Sequence, residues 1–298
     1  MTAETSKNLL TIKAFAKINL YLDVISRYPD GYHRIVSIMQ SVSLHDLLEI
    51  SEAPYPVIDV RCTAGGLSGT TNLAYRAALE LREQTGVRAG ARISIKKNIP
   101  IAAGLAGGSA DAAATLFGLD RLWGLDLSSE YLKEIATRIG ADVPFCLIGG
   151  TMLAEGKGEI LASLTPVPDV SLVIATPPMP VSTAEVYRQF DEAGPAPLGK
   201  KDEILSALYH GDARGIAGSL NNLLEYVVLK RYPIILEAKD IALASGALAA
   251  LMSGSGPSVF ALCGDEVAAL EVARAMRLHD SSFFVEVVKP ARTGVELV

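Results

Sequence analysis

Apolar and polar side chains alternate between residues 14 and 24, near the start of the chain. The even positions of this stretch are apolar, whereas the odd positions include Lys17 and Asn19. Because side chains alternate across a strand, the pattern predicts a strand with Lys17 and Asn19 on one face. A Pro-Asp-Gly turn at 29–31 follows, and residues 35–42 and 46–50 then continue as two further β segments.

The remaining elements follow no regular βαβ rhythm, which favours an α+β fold. Strands are predicted at 92–95, 170–175 and 283–288 and on both sides of a turn at 254–257. Helices are predicted at 71–81, 111–119, 183–191, 202–209, 213–229, 234–244 and 267–278, and between a Ser128 cap and Gly140. At roughly 100–200 residues a domain, the length predicts two domains. Glycines and prolines between 156 and 168 place the division near residue 160, giving domains 1–160 and 161–298.

Composition and charge exclude several classes of protein. The net charge is −6, which argues against a nucleic-acid partner because such proteins present a basic face. The three cysteines are scattered and the four histidines lack metal-ligand spacing, so we expect no disulfide framework, no metal site and a reducing cytoplasm. The N-terminal residues lack the pattern of a signal peptide. An uncharged run at 241–264 is interrupted at 253–257, so we expect no membrane span.

A glycine-containing loop between a predicted strand and a predicted helix is the strongest local signal. It reads PIAAGLAGGSAD and runs from residue 100 to residue 111. Glycines allow close backbone approach to an anion, and a helix N-terminus offers free N–H groups, so the loop predicts a phosphate site. It has neither the lysine of a Walker loop nor the Gly-x-Gly-x-x-Gly spacing. A flexible loop before a tightly packed helix is the alternative.

Three further features carry chemistry only in combination. Asp142, in Gly-Ala-Asp-Val-Pro-Phe, is either the cap of a helix or a base that accepts a hydroxyl proton. Lys17 is either a solvated lysine or a cation that keeps Asp142 ionised and stabilises a transferring phosphoryl group. The Gly-Ser-Gly-Pro-Ser segment at 254–258 is either an ordinary hairpin turn or a second anion-binding turn.

Together these motifs resemble the GHMP kinase superfamily. The resemblance is carried by KINLYLDV at 17–24, by RYPDGYH and SIMQSVSLHD in the following 22 residues, by the glycine loop, by GADVPF at 140–145, by VSTAEVY at 181–187 and by MSGSGPSVF at 252–260. It implies a ribosomal S5 domain 2-like N-terminal domain, which binds ATP and carries catalysis, and a ferredoxin-like, substrate-side C-terminal domain. The Asp-Gly-Tyr-His element resembles the branch that phosphorylates the 2-hydroxyl of 4-diphosphocytidyl-2-C-methyl-D-erythritol, in non-mevalonate isoprenoid precursor synthesis.

The resemblance also implies roles for individual residues. Asp142 would be the base and Lys17 its cationic partner. The nucleotide would be bound by Asn72, Lys96, Pro100, Ile101, Ala102, Ala103, Gly104, Leu105, Ala106, Gly107, Gly108, Ser109, Ala110 and Asp111. The substrate would be held by Asn19, Tyr32, His33, Thr183, Tyr187, Gly254, Ser255 and Gly256. Tyr32 and Tyr187 would sandwich the cytosine ring, and His33 would hydrogen-bond its edge. Magnesium would arrive with ATP, and the protein would be a cytoplasmic monomer or weak homodimer.

The loop departs from the family pattern at two positions. Ala106 replaces a glycine, which makes a positive φ harder to adopt, and Ala110 replaces a serine whose hydroxyl could touch a phosphate or magnesium. Two alternatives stay open, and the altered loop supports only the second of them. One is another GHMP kinase, such as a homoserine or mevalonate kinase, and the other is an inactive relative that only binds cytidine nucleotides.

Overall fold

A computed structural model describes residues 9–194 and 198–298. Within those ranges the chain forms ten helices and twelve strands. The expected α+β class is correct, because two sheets are each packed against helices. Residues 1–8, where we expected no signal peptide, lie outside the described residues. Among the described residues no helix combines the length and the apolar character needed to cross a membrane.

The first sheet is built on two long antiparallel strands. Strands β1 (Leu10–Arg27) and β2 (His33–Ala53) pair along most of their lengths. The two β segments predicted at 35–42 and 46–50 are thus one strand, with an irregularity in register opposite the step from Phe15 to Ala16. Its other strands are β3 (Ile58–Cys62), β4 (Gly90–Lys96), β5 (Thr151–Gly156), β6 (Ile160–Ser163), β8 (Asn221–Asn222) and β12 (Val295–Leu297).

The second sheet has four antiparallel strands in the order β11-β7-β10-β9. They are β7 (Ser171–Thr176), β9 (Ala249–Met252), β10 (Val259–Cys263) and β11 (Phe284–Val288). Strand β7 is buried along its whole length, since alternate residues enter different cores. Leu172 and Ile174 belong to the core of the first sheet, whereas Val173 and Ala175 face the second core.

The helices pack onto these two sheets. They are α1 (Leu73–Thr85), α2 (Gly107–Leu122), α3 (Ser129–Ile139), α4 (Val143–Ile148), α5 (Thr183–Ala193), α6 (Lys201–His210), α7 (Ala213–Ser219), α8 (Glu225–Arg231), α9 (Pro233–Ala244) and α10 (Glu266–His279). Asn72 and Ser128 cap α1 and α3 by accepting backbone N–H groups, in agreement with the sequence signals. Helix α2, rich in alanine, crosses close to both β1 and β2, and Gly118 allows that approach because a Cβ there would lie 2.5 Å from Ile12.

One predicted helix is divided in the structure, and strands that the sequence patterns did not predict join the first sheet. The helix predicted at 213–229 is divided into α7, β8 and α8, because residues 221–222 pair in parallel with β1 and Leu223 donates its N–H to the carbonyl of Leu22 at 2.8 Å. Strand β12 returns from the C-terminus to pair with β1, and β6 pairs with β5. Both strands join the first sheet, and the division of the chain at residue 160 stays a prediction.

Candidate active site

Lys17 and Asn19 meet on the inner face of β1, as the alternation predicted. Lys17 is only 5% exposed. Its Nζ donates to Asn19 Oδ1 at 2.7 Å and to the carbonyl of Gly104 at 3.1 Å. Asn19 in turn donates through Nδ2 to Ser37 Oγ at 2.8 Å. The ammonium is therefore held in place against the glycine loop, with one of its three N–H donors not used by these two bonds.

The backbone of the glycine loop is hydrogen-bonded both to strand β1 and to the segment just before strand β10. Its Leu105 carbonyl accepts the backbone N–H of Lys17 at 3.1 Å, and its Ala103 carbonyl accepts that of Ser258 at 3.3 Å. Gly104, between them, has φ +77° and lies against Ser253 so closely that a Cβ would be 2.1 Å from the Ser253 carbonyl oxygen. This position accepts glycine only.

Helix α2 begins at Gly107, four residues before the start predicted at Asp111, so the end of the predicted loop is the first helical turn. Its N-cap residue is Ala106, which adopts a left-handed conformation (φ 57°) and makes no side-chain cap. Ala106 therefore keeps the positive φ that a glycine would adopt more easily. The first N–H groups of a 16-residue helix are left free of a side-chain cap, which is the arrangement of an anion-binding helix N-terminus.

Asp142 stands at the N-cap position of α4, but its carboxylate makes no capping hydrogen bond. The helix-cap interpretation is thus wrong for the side chain, which lines a cavity. Burial, reinforced by the charge of Asp142, raises the pKa of the Cys146 thiol, while the charge of Lys17 opposes that shift. Both charges therefore act on the same small region. No ion pair joins Lys17 to Asp142, although both residues are described, and the role of Lys17 as the cationic partner of Asp142 stays a prediction.

A hairpin turn between β9 and β10 closes the site from the other side. Asn222 donates through Nδ2 to the carbonyls of Met252 and Gly254 at 2.7 and 2.8 Å. A Cβ at Gly254 would lie 3.3 Å from Lys17 Nζ, so the turn approaches the lysine closely. The hydroxyls of Ser255 and Thr183 are hydrogen-bonded at 2.8 Å.

An aromatic wall borders the same cavity, in an arrangement that differs from the expected sandwich. His33 stacks on Tyr187 with ring centroids 4.6 Å apart, and its Nε2 lies 2.7 Å from Asp191 Oδ1. Tyr32 is exposed, and Lys157 Nζ lies 4.4 Å from its ring centroid. Burial and then the charge of Asp142 raise the pKa of Tyr187, so its hydroxyl stays neutral. Tyr187 thus places a neutral aromatic ring in the region where the Asp142 charge acts.

Lys17, Asp142, most of the glycine loop and the aromatic wall surround one cavity of about 1350 Å³. A single-ligand site usually measures about 300–1,000 Å³, so the cavity has room for two substrates side by side. It is lined by Lys17, Asn19, Tyr32, His33, Asn72, Pro100, Ile101, Ala102, Ala103, Gly104, Ala106, Gly107, Gly108, Ser109, Asp111, Asp142, Thr183, Tyr187, Gly254 and Ser255 among the predicted site residues. Four predicted residues are absent from its lining, namely Lys96, Leu105, Ala110 and Gly256.

Lys97, and not Lys96, reaches the cavity. Lys96 is exposed, whereas Lys97 lies beneath the glycine loop and lines the cavity. Its Nζ forms ion pairs with Asp46 and, at 2.8 Å, with Asp111 Oδ2. Burial opposes the charge of Lys97, but the two carboxylates outweigh burial and raise its pKa. The lysine therefore links β2 to the first turns of α2.

The described residues contain no cluster of three or more His, Cys, Asp or Glu side chains suited to a metal ion. Magnesium in phosphoryl-transfer sites commonly keeps several waters and binds mainly to substrate phosphates. An ion that arrives on the nucleotide would be held chiefly by the phosphates and by water.

Comparison with known proteins decides the family. The model of the GHMP kinases N terminal domain matches residues 72–150, and the model of the GHMP kinases C terminal domain matches residues 204–281. The chain belongs to the GHMP kinase family. A 4-diphosphocytidyl-2-C-methyl-D-erythritol kinase of Pelotomaculum thermopropionicum is 47% identical over 93% of this chain and 97% of that protein. One from Geobacter sulfurreducens is 45% identical over 94% of this chain and 98% of the relative.

Solved GHMP kinase structures share the fold. The crystal structure of a 4-(cytidine 5'-diphospho)-2C-methyl-D-erythritol kinase has a TM-score of 0.79 at 33% identity, covering 94% of this chain and all of that one. A homoserine kinase from Cytophaga hutchinsonii has a TM-score of 0.80 at 20% identity, with complete coverage of both chains. The second likeness concerns the fold alone.

Sequence reasoning missed several residues of this GHMP kinase site. For Lys97 a signal was present, since Ile93, Ile95 and Lys97 have the same parity and strand alternation puts them on one face. Asn222 and Asp191 carried no comparable local signal. Each becomes part of the site only through contacts with residues about 30 or 158 positions away.

Proposed function

We propose that this GHMP kinase transfers the γ-phosphate of ATP to the 2-hydroxyl of 4-diphosphocytidyl-2-C-methyl-D-erythritol, giving ADP and the 2-phosphate in non-mevalonate isoprenoid precursor synthesis. Relatives that carry this substrate in their names are 44–47% identical over most of the chain. The structural observation that supports the assignment is one cavity. It is lined by the glycine loop, by Lys17, by the carboxylate of Asp142 and by the aromatic wall of His33 and Tyr187.

The nucleotide would bind along the glycine loop, with its phosphates at the N-terminus of α2. The uncapped first turn supplies N–H donors, and the helix dipole favours negative charge there. Lys17 adds a fixed positive charge at Gly104, in the middle of the loop. The loop backbone and Lys17 would therefore stabilise the charge that spreads over the transferring phosphoryl group.

Asp142 would accept the proton of the attacking hydroxyl. A general base needs a carboxylate that is not already committed to another donor, and Asp142 makes no capping bond. The hydroxyl oxygen then forms a bond to the γ-phosphorus as the bond from that phosphorus to the β,γ-bridging oxygen breaks, and ADP leaves. Positioning and charge stabilisation supply most of the rate, with magnesium neutralising phosphate charge.

The cytidyl end of the substrate would lie along the aromatic wall. Tyr187 stacks on His33 and Tyr32 lies beside Lys157, and both tyrosines line the cavity, where their rings would stack on the base. The sugar-alcohol end would lie near Gly254, Ser255 and Thr183, next to Lys17. This order would put the reacting hydroxyl between Asp142 and the phosphate loop. Oligomeric state and cytoplasmic location stay predictions.

The inactive-relative alternative has lost its main support. It rested on Ala106 and Ala110, of which Ala106 was expected to disfavour the loop conformation, yet Ala106 adopts the left-handed φ of 57°. Ala110 is fully buried and does not line the cavity, so a serine hydroxyl there would not face a phosphate in this arrangement.

A coupled ADP-release assay tests the proposal. We expect ADP release from magnesium-ATP only when the cytidyl substrate is present, with homoserine and mevalonate as control acceptors. Release with a control acceptor would overturn the specificity. Folded protein that binds ATP and releases no ADP with any acceptor would restore the binding-only alternative.

A further inference from the structure

The cluster of Asp46, Lys97 and Asp111 beneath the glycine loop holds one more carboxylate than ammonium. All three side chains are buried, with side-chain exposures of 0, 7 and 3%. Asp46 Oδ1 also accepts the backbone N–H groups of Asn98 and Ile99 at 2.6 and 2.9 Å, so that carboxylate is well supplied with donors. Asp111 receives only one donor, from Lys97 to Oδ2.

Oδ1 of Asp111 is buried and, within the described structure, has no hydrogen-bond partner. Asp111 nevertheless lines the cavity, on the second turn of α2 behind the phosphate loop. An ionised carboxylate oxygen left without a donor in a buried site is strongly disfavoured, and more so where polyphosphate must bind. A proton on that oxygen removes the excess charge and turns an unpaired acceptor into a donor.

We propose that Asp111 serves the nucleotide site as a neutral carboxylic acid, whose Oδ1 carries a proton while ATP is bound. The inference rests on the proposed function and concerns the protonation state of one of its nucleotide-site residues. When the free protein has Asp111 ionised, ATP binding takes one proton from solvent onto Oδ1.

The electrostatics of the cluster agree with this geometry. The pKa of Asp111 is raised to about 8, because burial and then the charge of Asp46 raise it by more than the charge of Lys97 lowers it. These are the titratable groups that face it from the ends of β4 and from β2. Cys146 on α4 also senses the charge of Asp111, and burial raises its pKa further above its usual range, so it stays a neutral thiol. Helix α1 presents the apolar Leu73 to Gly108 in this region.

A magnesium ion on Oδ1 is the competing occupant. The Lys97 ammonium lies 2.8 Å from the other oxygen of the same carboxylate and would repel a dication, and Oδ1 is enclosed. The two occupants predict opposite proton movements, because a metal ion displaces a proton whereas a neutral donor requires one.

Calorimetric titration of the wild-type protein with ATP, without the acceptor substrate, measures this proton directly. Each titration is run in two buffers of different ionisation enthalpy, with and without magnesium, from about pH 7.5 to about pH 9.5, where the terminal phosphate (second pKa near ~6) is already ionised. We expect proton uptake that approaches one per ATP above about pH 8, and an affinity that falls on the order of tenfold or more across the range.

Two variants assign the proton. Asp111→Asn is expected to abolish the uptake and to bind ATP with nearly pH-independent affinity. Asp46→Asn removes the neighbouring charge that raises the pKa of Asp111, so in this variant the onset of proton uptake should move to lower pH than in the wild type. Thermal unfolding establishes that each variant is folded, and the wild-type measurement stands without them.

Saturable ATP binding without proton uptake, or with proton release, would overturn the inference while leaving the kinase assignment in place. Uptake that persists in Asp111→Asn would assign it to another group and overturn it equally. Absence of any saturable ATP binding would overturn the proposed function and this inference together.

Discussion

Replacing Gly104 by alanine tests the idea that the phosphate loop and the β9–β10 turn must approach to within backbone contact. The new Cβ would lie 2.1 Å from the Ser253 carbonyl oxygen and 3.2 Å from the Gly256 nitrogen. An ordinary carbon–oxygen contact is about 3.3 Å, so the two segments must separate by about 1.2 Å. Alanine must also adopt φ +77°, which costs about 1–2 kcal/mol by itself.

The separation would disturb the reaction as well as the fold. The Gly104 carbonyl accepts hydrogen bonds from both Lys17 Nζ and Ser253 Oγ. A shift of the loop would therefore also displace the Lys17 ammonium. A misplacement of about 1 Å commonly lowers turnover by about 100-fold, and we expect at least that loss in kcat, with a loss of roughly 2–4 kcal/mol in the free energy of unfolding.

Steady-state ADP release and urea unfolding measure the two effects. Gly108→Ala is the matched control for stability, because its Cβ would meet only Leu73 Cδ1 at 3.4 Å and its φ is not positive. We expect that variant to retain nearly the wild-type free energy of unfolding. A Gly104→Ala protein with wild-type stability and turnover would refute the close-approach reasoning.

Further variants test individual groups of the site. Asp142→Asn should lower kcat on the order of 100-fold or more while the cytidyl substrate still binds, and unchanged kcat would remove Asp142 as the base. Tyr187→Ala should weaken binding of that substrate by roughly 1–3 kcal/mol in calorimetric titration, whereas Tyr187→Phe should not, and equal affinities would exclude stacking. Ala106→Gly should preserve or improve ATP affinity, because it relieves the left-handed φ, and Ala110→Ser should leave it unchanged, so a marked loss in either would show a different loop structure. The folded protein raises the pKa of Asp111 from its ordinary 3.8 to about 8, so the folded form binds more protons and stability should fall as pH rises between those values. Asp111→Asn should flatten that slope in thermal unfolding, and an unchanged slope would contradict this reasoning.

Patterns a few residues long predicted which side chains share a strand face and which residues cap a helix. The period of two in β1 placed Lys17 and Asn19 on one face, where they are 2.7 Å apart. The same rule, continued one residue beyond the end of β4, would have selected Lys97 over Lys96. Caps such as Asn72 satisfy backbone groups within two residues of themselves, so a sequence window is sufficient to find them.

At two places contacts distant in sequence overrode a local preference. Asp142 has the composition of a helix cap and occupies the cap position, yet its side chain faces the cavity. Residues 213–229 have helical character throughout, but the parallel pairing of Asn222 with Leu22 interrupts them. The hydrogen bonds gained across the fold replace those that a continuous helix would have formed.

The sequence by itself determined the inventory of this protein: an α+β chain of the GHMP kinase family, with a glycine loop, a lysine-bearing strand, an acidic helix start and a Gly-Ser-Gly turn. Those features are periodicities and motifs a few residues long, so a short stretch of sequence is sufficient to recognise each of them. Only the tertiary structure decided how they meet, because Lys17, Gly104 and Gly254 are separated by 87 and 150 residues and become neighbours when the two sheets pack. It also decided that Asp111 shares one buried lysine with Asp46, since the charge balance of a cluster depends on which side chains are excluded from water together.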